Sequence, residues 1–410
     1  MDPKNQLINV SLAQVVLPRP IENKRNEWVD FGEFNDFPLY LQILMQRSAL
    51  HNAIIYSKVE SIVGNGLTYD KKSDRKTDSW LAAPNPNETA DDLLRKFAFD
   101  QELYGGFYAN VIWSRDRKTI SETYHIDFSK IRSGKADERG VVTEYFYCDN
   151  WAKARNKQST IKRIQAFKAD GSGDGSQLIF VKPYAPGQEY YPLPSYVGAL
   201  TYIDVDAEIA NFHLAHIRNG MNPSIILTFT NGIPLEEERK LIEKQIRDKF
   251  TTTDNAGKFM LMFAEDSTRI PQVTTVSPSQ LDKQFLQLQD TVLQNILSGH
   301  RVVSPMLVGI KTEGQLGGST ELMNAYEIYN KTVLEPHIKI IETLFNKIGS
   351  INGLQELYIK PVEPVSFMWD QSILQNIMTV DEMRNRIGLE PMPVEDVTIS
   401  QEPKAVQPTA

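Results

Sequence analysis

The chain has 410 residues, 41% of them hydrophobic and 23% charged, a balance that belongs to an ordinary folded protein and excludes a disordered one. At this length a single core stops growing, so two or three packed units are expected. The formal charge of −8 argues against a tight, sequence-specific nucleic-acid binder, and a lone cysteine, Cys148, excludes a disulfide framework within the chain.

The opening "MDPKNQLINVSL" has no basic run followed by an apolar one, so no signal peptide is expected, and residues 1–27 read as an arm. Residues 28–66 then read as helix. Leu41, Leu44, Met45, Leu50, Ile54, Ile55, Val59 and Ile62 form a broad apolar stripe, closed by Gly64-Asn65-Gly66. "PNPNETADDLLRKFAFDQELYGG" reads as a second helix. Asn87 is its expected N-cap, Asp91 and Asp92 lie in its first turn, and Leu94, Phe97 and Leu103 form its buried face. From Gly106 to about Leu200 the pattern turns to strands: "FYANVIW", "ETYHIDF", "VTEYFYC", "IKRIQAF" and "QLIFVKPY" alternate between turn signals. "ADGSGDGSQ" at 169–177 reads as a polar hairpin tip, and its acidic spacing fails the calcium-loop pattern.

A helix is expected over Ile203–Arg218, with Val205, Ile209, Phe212 and His216 along one side. Asn219-Gly220 stops it and Pro223 forbids its return. Ile225-Ile226-Leu227 and Phe229 follow as a β-type run with no partner beside it. Next comes a compact helix, "PLEEERKLIEKQIRDKF", with Glu236/Lys240 and Glu243/Arg247 four apart on its polar side. Two further β-type runs, "KFMLMFA" and "RIPQVTTV", complete a small α/β module at 221–277. The returning helix has Ser277 as N-cap, Pro278 in its first turn and Gly299 as its end, with a stripe of Leu281, Phe285, Leu288, Val292 and Ile296. Each flanking helix could carry the module roughly 20–30 Å away, so the run at 225–229 must pair with the distant half of its own module or with a neighbouring subunit. After the glycine-rich "GIKTEGQLGGS" a second long helix is expected from about Thr320 to Ile348. Pro336 inside it predicts a kink, and the tail from about Pro391 reads as mobile.

Enzyme signatures are weak. "GQLGGST" lacks the lysine of a phosphate-binding loop. His213 and His216 lie three apart with no third metal ligand placed nearby, and Ser304-Pro305 lacks a nucleophile-elbow context. Asp204, Asp206 and Glu208 read as an acidic helix start that complements the dipole. No catalytic residue, metal or cofactor is expected.

The order of these parts resembles the phage portal proteins of the HK97-like type over about residues 40–390. "LYGGFYANVIW" resembles that family's wing segment, and "FHLAHIRNGMNPSIILTFTNG" the descending stem entering the clip. "QLDKQFLQLQDTVLQNILSGHRVVSPMLVG" is similar to the returning stem helix with its Val-Ser-Pro turn. "LMNAYEIYNKTVLEPHIKIIETLFNKI" resembles the kinked tunnel helix, and "MTVDEMRNRIGLEPMP" the family's ending. The stretch 140–190 departs from the pattern by being richer in strands and more polar than a minimal wing.

The resemblance implies an α+β portal fold: an α/β wing, a two-helix stem, a small α/β clip and a long kinked tunnel helix. Its parts would be an N-terminal arm at 1–27, the first part of the wing at 28–202 and the outgoing stem at 203–220. The clip would follow at 221–277, the returning stem at 278–299, and a turn with the tunnel loop at 300–319. The tunnel helix and wing completion would occupy 320–372, and a crown-like helix with a flexible tail 373–410. It further implies a ring, typically of twelve copies, at one capsid vertex, assembled in the host cytoplasm. Its partners would be the major capsid protein, a terminase large subunit, a head–tail connector, and double-stranded DNA passing without specific contacts; no membrane is involved. In the clip, strands would be completed by the adjacent protomer.

A DNA channel should not grip phosphates, because released counterions turn into affinity. The tunnel loop offers Lys311, Thr312, Glu313 and Gln315, on hinges Gly309, Gly314, Gly317 and Gly318. Lys311 is expected to make weak, transient phosphate contacts; the plainer reading is a solvated loop lysine. Glu236, Glu237, Glu238, Arg239, Lys240, Lys244 and Arg247 form the expected docking face for terminase or connector, against the plainer reading of a soluble helix. The alternatives are a ring-forming virion or secretion adaptor that conducts no DNA and, further off, a metal-dependent hydrolase or nuclease.

Overall fold

The computed structural model describes residues 18–70, 73–154, 161–219, 225–229, 235–242, 259–263, 278–310 and 319–362, with positions 379, 381 and 384. By packing the chain divides into two units, Met1–Val362 and Glu363–Ala410, and the helices and strands from Pro20 to Ile359 all belong to the first. No described helix is long and apolar enough to cross a membrane.

β1 (Pro20–Glu22) pairs antiparallel with β2 (Val29–Phe31), so the arm is partly tied down and the expected helix does not begin at Trp28. The apolar stripe is carried by two helices, not one: α1 (Phe37–Arg47) and α2 (Ala49–Val63). Ser48 takes an extended conformation between them, caps α2 by accepting the His51 N–H (3.1 Å), and donates its hydroxyl to Asp206 (2.6 Å). A serine side chain that can bond local backbone competes with helix continuation, and here a distant carboxylate holds it in that role. β3 (Leu67–Thr68) and α3 (Arg75–Ala82) lead to α4 (Ala90–Tyr104). The N-cap of α4 is Thr89, in a reciprocal capping box with Asp92, and not Asn87; the Asp92 carboxylate can reach back three residues to the Thr89 N–H. Leu94, Phe97 and Leu103 are buried, as expected.

The strand region forms one six-stranded sheet. Its members are β4 (Phe107–Trp113), β5 (Ile120–Ile126), β6 (Ile131–Ser133), β7 (Glu144–Tyr147), β8 (Lys162–Ala166) and β9 (Ser176–Val181), in the order β5-β4-β9-β8-β7-β6. A short helix, α5 (Trp151–Ala154), follows β7. The sheet is antiparallel except between β8 and β9, which run parallel, so the expected hairpin tip at 169–177 is a crossover whose last two residues already belong to β9. The buried Gln177 amide holds that crossover together. It accepts from Trp113 Nε1 (3.1 Å) and the Lys168 N–H (2.9 Å), and donates to the Ser172 and Asp174 carbonyls (2.7 and 3.1 Å).

α6 (Leu200–Asn219) leaves this body. β10 (Ile225–Phe229), helix α7 (236–242) and β11 (Phe259–Phe263) follow, and α8 (Pro278–Gly299) returns. β10 pairs with β11, parallel and in register from Ile225↔Phe259 to Phe229↔Phe263. The partner that the sequence leaves open is therefore found in this chain, and completion by a neighbour is not needed for that pairing. The expected run at 269–276 and N-cap Ser277 lie outside the described residues. α9 (Ser319–Tyr329), a π-helical turn (Asn330–Leu334) and α10 (Glu335–Asn352) form the next long helix, and β12 (Tyr358–Ile359) returns to pair antiparallel with β3. One apolar core runs through α1, α2, α4, α10 and the inner sheet face, and reaches the roots of α6 and α8. Cys148 is buried in a satellite cluster with Trp28, Phe146 and Trp151.

Candidate functional site

α8 comes back to a junction with α2 and the start of α6, just before the turn at Pro305–Val308. At their roots α6 buries Leu200, Ile203 and Ala207, and α8 buries Val292, Ile296 and Leu297. Farther along, Leu214 and residues 287–290 are exposed. The two helices pack against each other with the end of α8 on the start of α6. Gly299 makes that approach possible, since a Cβ there would collide with the Ala199 Cβ. α8 ends at this glycine, as expected, and the same residue admits the close contact.

The left-handed residue just beyond that end is Arg301, at φ 59°. The Val302 N–H reaches the Leu297 carbonyl (2.9 Å) and the Arg301 N–H reaches Ser298 (3.0 Å), the paired bonds of a left-handed helix stop. Glycine is the usual residue at such a position. Arginine has a second use: its guanidinium donates to the Thr332 carbonyl at 3.2 Å. Thr332 lies four residues before Pro336, which has no N–H to offer that carbonyl. Pro336 sits in the first turn of α10, and the helix absorbs it through the π turn, where the Glu335 N–H bonds five residues back to Asn330. The predicted kink is thus an interruption of the α-helical bonding pattern upstream of the proline, pinned by Val333, Leu334 and Tyr329 in the core.

The residues just before 311–318 form a defined turn. Pro305–Val308 form a 3-10 turn, Gly309 has φ 76°, and the Ile310 N–H bonds the Pro305 carbonyl (3.0 Å). Ser57 on α2 donates to the Leu307 carbonyl (3.4 Å). Of the expected loop residues, Gly309 is at a turn that requires positive φ. Lys311, Thr312, Glu313, Gly314, Gln315, Gly317 and Gly318 lie outside the described residues. On α7, Glu236, Glu237, Glu238, Arg239 and Lys240 are exposed, and Lys240 pairs with Glu236 at 3.0 Å. Lys244, Arg247 and the Glu243/Arg247 pair lie outside the described residues, as does the His216 side chain.

Beneath the junction lies a polar group that the sequence does not announce. Lys58 of α2 places its Nζ 3.3 Å from Glu102 of α4, with side chains 1% and 0% exposed. The other Glu102 oxygen meets Nδ1 of His337 on α10. Burial would raise the Glu102 pKa, but the Lys58 charge and the His337 contact hold it at about 2. Beside it, His51 Nδ1 stands 2.9 Å from His300 Nε2, and the Tyr196 ring packs on both, its hydroxyl donating to the Leu103 carbonyl (2.7 Å). Lys58 occupies a position of the α2 apolar stripe, between Ile54, Ile55, Val59 and Ile62. A charge on an apolar face is the one signal that could have flagged it, and nothing in the sequence names its partner.

The three carboxylates expected to serve a helix dipole do something else. α6 begins at Leu200, and Asp204 and Glu208 pair with Arg47 of α1 (3.7 Å for Asp204) while Asp206 accepts from Ser48. Among the described residues no group of three His, Cys, Asp or Glu is placed to hold a metal ion. The buried groups are sealed inside the helix packing, so their chemistry is to fix helices to one another.

The profile of the family described as "Phage portal protein" matches residues 58–388. The chain is 23% identical over 318 residues to an uncharacterized protein of Rickettsia bellii (strain RML369-C), covering 75% of this chain and 76% of that one. It is 25% identical over 187 residues to a probable portal protein of Haemophilus phage HP1 (strain HP1c1), covering 45% and 52%. In fold it is similar to a chain from the neck of a native gene transfer agent particle computed with C12 symmetry, at TM-score 0.54 and 18% identity, over 92% of this chain and 96% of that one. The match spans the junction, both long helices and the module between them: the chain belongs to the phage portal protein family.

Proposed function

We propose that the chain is the portal subunit of a phage or phage-like particle, closing with copies of itself into a ring, of twelve by the expected count, at one capsid vertex. In this reading α6 and α8 are the stem, 221–277 is the clip, and the loop launched from Gly309 faces a channel through which a separate terminase drives double-stranded DNA. The ring also serves as the seat of the head–tail connector, and DNA leaves through the same channel. The observation that carries the reading is the family match over residues 58–388, the range in which this reading puts stem, clip and loop. Two helices of 20 and 22 residues support it: among their described side chains, the buried ones lie at the roots. At ~1.5 Å per residue they are about 30 Å long, the shape of a stalk rather than of core helices.

The physical logic is that of a conduit. Net acidity of the chain disfavours retention of a polyanion, and a loop with one lysine and one glutamate can touch phosphates without binding them strongly. The test is negative-stain microscopy of the purified full chain, followed by a packaging assay with the cognate terminase. Discrete annular particles that support DNA uptake are expected. Monomers under all conditions, or rings inert in packaging, would sink the reading.

A further inference from the structure

The contact between His51 and His300 has no use in a conduit as such, and its geometry is demanding. Both residues are fully buried, and Nδ1 of His51 lies 2.9 Å from Nε2 of His300. One ring must donate and the other accept, so a neutral pair satisfies the contact with a single proton between the rings. The outward nitrogens, His51 Nε2 and His300 Nδ1, have no hydrogen-bond partner among the described residues, and in the neutral pair one of them carries the second ring proton while the other is bare. A proton added to the pair must therefore sit on an atom with nothing to receive it, and the resulting charge is sealed from water.

The surrounding groups offer no relief. Lys58, from the same helix as His51, is positive. Glu102 of α4 is already engaged by Lys58 and by His337 of α10. Tyr196 lies 4.5 Å and 4.7 Å from the two rings, centroid to centroid, with its hydroxyl committed to Leu103. Tyr329, at the end of α9, is buried near Glu102 with its hydroxyl unpartnered. Asp206 of α6 reaches the neighbouring Ser48 and no farther into the site. The pair also occupies a strategic place. His300 follows the last residue of α8, and the next residue, Arg301, holds the Thr332 carbonyl in the π turn ahead of α10.

We propose that the His51–His300 pair is an acid-opened latch: neutral, it clamps the end of α8 onto α2, and proton uptake frees that end together with the hold of Arg301 on the π turn. The direction follows from linkage. Burial, and then the Lys58 charge, lower the His51 pKa from 6.5 to about 3, and the same causes, with His51, hold His300 well below its ordinary value. Released rings titrate near 6.5, so the open form binds more protons below that pH. The closed form loses about tenfold per pH unit for each ring, and up to about a hundredfold for the pair. Glu102, at about 2 when closed, takes up a proton on release only below its ordinary 4.5, so the window between 6.5 and 4.5 belongs to the histidines.

The test is hydrogen exchange on the full chain from about pH 7.5 to about pH 5, corrected for intrinsic chemistry, reading amides of 292–302 against those of Leu93–Phe97 in α4. The latch predicts an opening constant at 292–302 that rises at least about tenfold per pH unit below ~6.5, with a flat response in α4. In the double variant His51→Gln/His300→Gln the rise should vanish, since amides keep a polar contact but do not titrate. A native profile that changes less than about threefold across the range overturns the proposal, as does an equal slope in the double variant. Should that variant fail to fold, His300→Gln alone replaces it with the same two outcomes, and a flat native profile remains decisive by itself.

Discussion

Lys58 and Glu102 each carry a charge into the interior, from α2 and α4. Leaving either one alone is far costlier than keeping the pair, because a buried ion without a partner retains its desolvation penalty. We expect Lys58→Met to destabilise the chain by about 3–5 kcal/mol, Glu102→Gln by a similar amount, and the double variant by less than the sum. Urea midpoints of the four proteins close that cycle; additive losses would mean the two side chains act independently. The sign with pH is fixed by the depressed carboxyl. Its contribution is complete above about 4.5 and is lost as pH falls toward 2, so acid unfolding of the native chain should steepen there. In Lys58→Met the strongest lowering influence is gone and burial pushes the carboxyl up, which moves the acid midpoint to higher pH. Neither residue is identifiable from sequence as half of a pair. Lys58 stands in a stripe whose apolar members are legible, but 44 positions separate it from its partner, and the packing of α2 on α4 is what brings them together.

The helix ends show what an element can and cannot reveal. Sequence places the end of α8 at Gly299, where the helix does end, but the left-handed residue of the stop is not a glycine but Arg301. Its strained backbone and its bond to Thr332 make separable contributions. Arg301→Ala keeps the strain and loses the bond, and should cost about 0.5–1 kcal/mol. Arg301→Gly also loses the bond but relieves the positive φ, and should unfold at a denaturant concentration corresponding to about 1 kcal/mol more stability than the alanine variant. Equal midpoints would mean that the backbone at 301 stores no strain. Pro336 is legible as an interruption of a long helix, because its missing N–H is a local property. That the interruption takes the form of a π turn depends on Tyr329, Val333 and Leu334 finding places in the core. Likewise the periodicity of 37–63 is plain in the residues, while the break at Ser48 depends on Asp206, which arrives from α6.

Across the chain as a unit, the described charges between α6 and α8 are those of α7, and they point outward. Glu236, Glu237 and Glu238 are exposed on α7, and rim charges of this kind set docking register and association rate more than affinity. Changing all three to Lys should weaken capture of the cognate terminase or connector at low salt, severalfold or more, while annular assembly persists by negative stain. Unchanged capture would remove α7 from the docking face. Packing divides the chain into two units, and within the first of them β12 returns to pair with β3 and the core is continuous from α1 to α10. The order of helices and strands along the chain, and through it the family resemblance, is readable because periodicity and turn chemistry are local.

Residue order alone indicates the succession of amphipathic helices, the strand-rich stretch, and the β-type runs that lie between two long helices. Packing in three dimensions settles that β8 runs parallel to β9, that β10 pairs with β11, and that His51 meets His300 across 249 positions. Local patterns record which face of an element is apolar. They hold no record of which buried polar groups will meet, since that choice is made by contacts among elements far apart in the chain.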